Sequence, residues 1–286
     1  MKFSLLILFC FLQVKLYAQC DSLKCIKLGF ESGYFSYGSV DELFTPFVYS
    51  GNSAFFNLSV SKESFFSRHS LSVKYASIER SPLNIDIPGY YNVISFDSEK
   101  YYKVKSESYL RTLNTKYSEL KYTYFRKTKV RIFSKNALFV GFCSENSLVV
   151  KDDLSNSELL TSLINPGIHY ELPLQSKTFL VFESYFTLVG LNLRKPYAGA
   201  SAQLSDNYTS SSYFWDYIDE HLQLNFPNSC QHFYSKIQLE RLIYKRIILN
   251  FNYQFSYFSL QYPRNLKSVT NIFGLGFTIK FWKNAK

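Results

Sequence analysis

The last stretch of the chain, "NIFGLGFTIKFW" from Asn271 to Trp282, alternates between two kinds of residue without a break. Phe273, Leu275, Phe277, Ile279 and Phe281 share one parity, and Gly274, Gly276, Thr278 and Lys280 share the other. Alternation of this length specifies a β-strand with two unlike faces, because successive side chains of an extended chain point to opposite sides. Such a strand has a wholly apolar face to cover. The pattern returns in "LNFNYQFSY", where Leu249, Phe251, Tyr253, Phe255 and Tyr257 oppose Asn250, Asn252, Gln254 and Ser256, all polar and uncharged.

Comparable runs fall at 26–36, 53–62, 69–80, 115–126, 132–144, 164–174, 178–193, 232–243, 246–260 and 269–282, which predicts ten strands. Several exceed the usual strand of about five or six residues and reach the roughly nine to eleven that a tilted strand needs to cross a bilayer. The connections alternate in length. Long ones lie at 37–52, 81–114, 145–163, 194–231 and 261–268; short ones centre on Ser64–Ser67, Lys127–Val130, Gln175–Lys177 and Tyr244–Lys245. Membrane-spanning barrels show this asymmetry between periplasmic turns and extracellular loops.

A soluble β-sandwich is the competing architecture. It would bury the face carrying Phe251, Phe255, Phe277 and Phe281 against a second sheet and would still have two edges to shield. A closed barrel needs neither, since lipid covers the outer face and closure satisfies every backbone N–H and C=O. The expected fold is therefore an all-β, antiparallel, up-and-down transmembrane barrel of about ten strands, with eight to twelve compatible. Both termini fall on the short-turn side.

The N-terminus "MKFSLLILFCFLQVKLYAQ" has a basic start, an apolar run from Phe3 to Val14 and a small residue at Ala18. This reads as a cleaved secretory signal peptide over residues 1–18, leaving 19–286 as the barrel with its long extracellular loops. Lys15 interrupts the run too early for a transmembrane helix, which needs about 18 to 20 apolar residues. A lipoprotein would use Cys20 as the acylated residue, but Tyr17-Ala18-Gln19 lacks the small residue normally placed just before it. Cleavage removes Lys2 and Lys15 and no acid, so the formal charge of +10 falls to +8. The densest basic cluster, "FRKTKVR", lies between two strand-like runs and suits a solvated turn; no nucleic-acid partner is expected.

Cys10 leaves with the signal peptide, and Cys20, Cys25, Cys143 and Cys230 remain in an exported setting. The ten-strand topology puts Cys143 at the outer end of the fifth strand and Cys230 at the start of the eighth, so a disulfide between them is one expectation and four free thiols the other. Cys20 and Cys25 then pair with each other or stay free. His69, His169, His221 and His232 form no HxxxH or HExxH pattern, so neither a metal nor another cofactor is expected.

On the parity opposite the lipid-facing residues sit Lys74, Glu119, Lys121, His169, Glu171, Glu183, Glu240 and Lys280. Opposed charges in a narrow lumen predict a polar ladder that plugs it, since small barrels are filled by side chains. A narrow solute channel is the alternative. Residues 194–231 mix Tyr, Phe and Trp with Ser and Asn, a composition suited to a binding surface or to capping the barrel mouth.

With "YAQ" at the cleavage site and "GLGFTIKF" as the last strand, the sequence resembles the small outer-membrane β-barrel proteins of Gram-negative bacteria, especially those of Bacteroidetes. In that resemblance Gly276, Ile279 and Phe281 stand as the signal read by the barrel assembly machinery, although Gly274 replaces the usual polar residue and the chain continues past the motif. It implies residence among outer-membrane lipids and assembly through the periplasm; a monomer is the default expectation, and an extracellular ligand or an envelope protein is the further partner to look for. The expected role is structural or surface-interacting, with a small solute pore as the alternative. "FWDYIDEH" places Asp219 and His221 in a D-x-H arrangement that distantly resembles omptin proteases, in which such a pair activates a water. The second acidic pair of those enzymes has only Asp97 and Glu99 as a counterpart, and a lipid-modifying pair would need His169 beside Ser184.

Overall fold

The computed structural model describes residues 25–41, 45–64, 66–82, 113–128, 137–151, 158–194, 222–261 and 265–282. Twelve hydrogen-bonded segments follow one another: β1 (Cys25–Asp41), β2 (Thr45–Glu63), β3 (Ser67–Pro82), β4 (Leu113–Lys127), β5 (Ala137–Lys151), β6 (Glu158–Gln175), β7 (Thr178–Phe186), β8 (Val189–Arg194), β9 (Leu222–Asn225), β10 (Cys230–Tyr244), β11 (Ile247–Leu260) and β12 (Leu266–Trp282). Both β7 and β8 pair with β6, while β10 pairs with β7 and β9 with β8. Each of these couples is one barrel strand with a local break, so the ring has ten strands. It closes through β1 and β12, in register from Cys25↔Trp282 to Asp41↔Leu266. No helix occurs among the described residues.

The two breaks face each other and satisfy their own backbone groups. Thr187 N donates to His232 O at 3.0 Å, and His232 N donates to the Thr187 hydroxyl at 2.7 Å. On the partner strand Cys230 N donates to Phe226 O at 2.8 Å across a turn. The hydroxyl stands in for a ladder carbonyl, as a bulge requires.

The parity read from the sequence sorts the two faces. Outward lie Leu28 and Phe30 on β1, Phe56 and Leu58 on β2, Val73 on β3, Phe251 on β11 and Leu275 and Phe277 on β12; Leu58 is 61% and Leu275 57% exposed. Soluble monomers rarely expose a contiguous apolar belt of this extent, and among the described strands ring closure leaves only the short β9 paired on one side. At the turn-end margin His69 Nδ1 lies 2.9 Å from the Tyr122 hydroxyl, and the rings of Tyr124 and Phe142 stand 5.6 Å apart beside them. This group is an aromatic girdle.

Toward the loop end the two faces exchange character. Ser36, Asn52, Ser77 and Glu79 now point outward, while Phe35, Tyr37, Phe55, Ala76, Ile78 and Ile272 point inward and pack together. Above the belt the outer surface meets water, so the apolar residues move inside as they do in a soluble sheet. This inward packing extends the strands and corrects the expected boundaries. The long connection expected at 37–52 shrinks to 42–44, and that at 145–163 to 152–157; the long ones are 83–112 and 195–221.

Candidate functional site in the barrel lumen

Two polar groups occupy the lumen below the apolar plug. The upper one begins with Lys74 on β3 and Glu119 on β4, directly paired in the ladder, with Lys74 Nζ 3.3 Å from both carboxylate oxygens. Lys74 also donates across the lumen to Gln254 Oε1 on β11 at 3.3 Å. Gln254 in turn donates to Glu31 at 3.1 Å and accepts from the Tyr234 hydroxyl at 3.3 Å. Lys121 Nζ sits 3.5 Å from the Tyr234 ring centroid and 4.4 Å from that of Tyr185. Such stacking adds to the attraction of nearby Glu119 and Glu145 in holding a buried cation. Tyr117 donates to Glu119 at 2.5 Å and packs its ring on Phe35, tying this layer to the apolar plug above.

The lower group lies nearer the turns. Lys27 Nζ is 2.6 Å from Glu63, and Arg68 bonds Glu171 through Nη2 at 2.6 Å. His169 Nε2 lies 3.0 Å from Glu171 Oε1, while Glu183 accepts from Tyr185. Between the two groups is a cavity of about 170 Å³, bordered by Lys27, Glu63, Arg68, Lys74, Lys236 and Glu240 among others. Five cations and five carboxylates line it, so the charges of its wall balance one another.

The predicted ladder residues thus fall into two clusters. Lys74, Glu119 and Lys121 belong to the upper one and His169, Glu171 and Glu183 to the lower, with Glu240 at the cavity wall and Lys280 inward on β12 opposite Lys27. Lys27, Glu31, Glu63, Arg68, Tyr234 and Gln254 were not foreseen. Their signal was present: Arg68 shares the parity of Lys74 on one strand, so stepping by two residues toward the turn reaches it.

Other expectations meet the structure differently. The disulfide between Cys143 and Cys230 is not formed; both thiols are free and buried. Cys143 lies in mid-strand among Phe125, Phe139, Tyr185 and Tyr234, whereas Cys230 packs with Leu163, Leu260 and Leu266. The expected rim position for Cys143 fails because β5 runs on to Lys151. His169 and Ser184 stand on opposite faces, since Ser184 pairs with outward Ile168. Asp97, Glu99, Asp219 and His221 lie outside the described residues. Gly276 is buried at the closing seam, where a Cβ would collide with the carbonyl oxygen of Phe30; Ile279 and Phe281 point outward from the same strand.

No protein-family model matches the sequence, and no curated protein matches it. Solved structures do match. The outer membrane protease OmpT from Escherichia coli aligns with a TM-score of 0.51 at 6% identity, covering 93% of this chain and 99% of that one. The fold is that of an outer-membrane β-barrel. An outer membrane channel from Pseudomonas putida F1 (TM-score 0.41, 7% identity, 93% and 98% covered) and the outer membrane protein OprG from Pseudomonas aeruginosa (0.36, 8%, 91% and 98%) are also similar to the barrel. At such identities the likeness is one of fold, and activity has to be argued from the residues of this barrel.

Proposed function

We propose that the protein resides in the outer membrane as a barrel without a through-channel, and that it works as a structural scaffold presenting its long loops for surface interaction. The observation that carries this reading is the filled lumen. Phe35, Phe55, Ile78 and Ile272, from the neighbouring strands β1, β2, β3 and β12, pack together in its outer half, and the bonds from Lys74 to Glu119 and Gln254 bridge its middle. A solute entering the cavity from the turn end meets both layers before reaching the loops. Crossing would require breaking buried charge pairs and opening a packed apolar cluster.

With the lumen closed, the strands serve to hold the loop end. β1 to β3 and β12 continue above the apolar belt with a polar exterior and a packed interior, a collar from which residues 83–112 follow β3, while residues 195–221 join β8 to β9 on another sector of the rim. Binding functions concentrate on loops held by such scaffolds. An epitope inserted within residues 83–112 tests the orientation and the location together. Antibody labelling of intact cells, with the protein in the outer-membrane fraction, is the expected result; labelling only after the envelope is permeabilised would overturn it.

A further inference from the structure

The two ends of the barrel differ in charge. The connections at the turn end carry Lys129, Arg131, Lys135, Lys177, Lys245 and Arg246 and no acid, whereas acids outnumber bases in the connections at the loop end. Within the turn end one sector concentrates the effect. Because β7 pairs with β10, the 176–177 and 245–246 turns are neighbours on the rim, and Leu242 N donates to Lys177 O at 2.9 Å. Lys177, Arg241, Lys245 and Arg246 are all exposed there, and among the described residues none of the four forms an ion pair.

The acids of this end are turned the other way. Glu63, Glu171, Glu183 and Glu240 lie on the inward parity, where Lys27, Arg68, His169 and Gln238 engage them. The outer rim is therefore cationic although the interior is balanced. The same sector exposes Ile243 at 59% and Tyr244 at 66%, just below Leu239 and Ile237 of the apolar belt. Exposed cations beside an amphipathic aromatic, at the margin of an apolar belt, match the polar–apolar boundary of a lipid leaflet.

We propose that this sector binds the headgroups of anionic phospholipids in the leaflet at the turn end, with phosphate oxygens accepting from Lys177, Arg241, Lys245 and Arg246. The inference rests on the membrane-barrel reading above and adds a lipid class to it. Guanidinium and ammonium groups suit phosphate, and juxtamembrane cations gain from an anionic surface.

The test uses the full chain inserted in phosphatidylcholine vesicles containing a minority of phosphatidylglycerol, extracted gently and examined by native mass spectrometry. The wild type should retain phosphatidylglycerol about fivefold above its share of the bilayer. The variant K177Q/R241Q/K245Q/R246Q should retain lipids in the bulk ratio, while Lys267→Gln at the loop end should behave as wild type. An inserted barrel with no enrichment, or enrichment that survives the fourfold substitution, would overturn this inference alone. A chain that stays out of the bilayer would overturn the membrane reading as well.

Discussion

Lys74 and Glu119 stand directly opposite each other on β3 and β4, with the ammonium 3.3 Å from both carboxylate oxygens, and Lys74 reaches on across the lumen to Gln254. Both side chains are 6% exposed. Charges this deep persist only in pairs, so the unit behaves as a two-part bolt. Glu119→Ala leaves Lys74 and Lys121 without their carboxylate and should cost about 3–5 kcal/mol, whereas the double change K74M/E119L should be much milder. Urea midpoints of the barrel refolded in micelles check the difference.

Phe277 and Thr278 are neighbours on opposite faces of the closing strand. Phe277 meets Phe30 in the belt, with ring centroids 5.7 Å apart, while Thr278 accepts from Asn250 Nδ2 at 2.6 Å beside the cavity. Phe277→Arg should cost about 2–4 kcal/mol if the residue lies near the midplane, and Thr278→Arg should cost far less because the cavity admits water. The heat-modifiable folded fraction on gels measures both. Equal losses would contradict the assignment of faces.

Phe55 and Phe56 make the same comparison at the level where the faces exchange character. Phe55 is fully buried in the plug, and Phe56 is 53% exposed on the belt. Phe55→Ala should therefore cost about 3–5 kcal/mol through the cavity it leaves, and Phe56→Ala less, since lipid fills the space. Unfolding midpoints in phospholipid vesicles give the ranking.

How much of this was legible in the sequence differs from residue to residue. Phe251 and Phe277 announced the outer face because period-two alternation needs no knowledge of the partner strand. The ten-strand count followed from the same signal. The ends of the strands did not follow: at Phe35 and Phe55 the apolar residues change faces as the strand leaves the belt, and a reading that keeps one parity for one environment stops there. Cys143 was misplaced for this reason, since β5 continues beyond it to Lys151. Arg68 and Lys27 were missed because charges near a turn resemble solvated ones until the barrel closes around them. The contact from Lys74 to Gln254 joins residues far apart in sequence, and no local pattern encodes it.

The free state of the cysteines has its own readout. Cys143 and Cys230 are buried in separate clusters, so the folded barrel should carry no bond between them and resist maleimide until it is unfolded. Mass spectrometry of unreduced peptides after alkylation in denaturant checks it. A peptide linking Cys143 to Cys230 would contradict the packing described.

A lumen filled by the Phe35–Phe55–Ile272 cluster and the Lys74–Glu119–Gln254 bridge should carry no ionic current. The measurement that addresses it most directly is conductance across a planar bilayer after insertion of the purified protein, with insertion verified by protease protection of the barrel. The wild type should insert and pass no discrete current steps. Regular unitary steps from the inserted wild-type barrel would show a continuous water path and contradict the account.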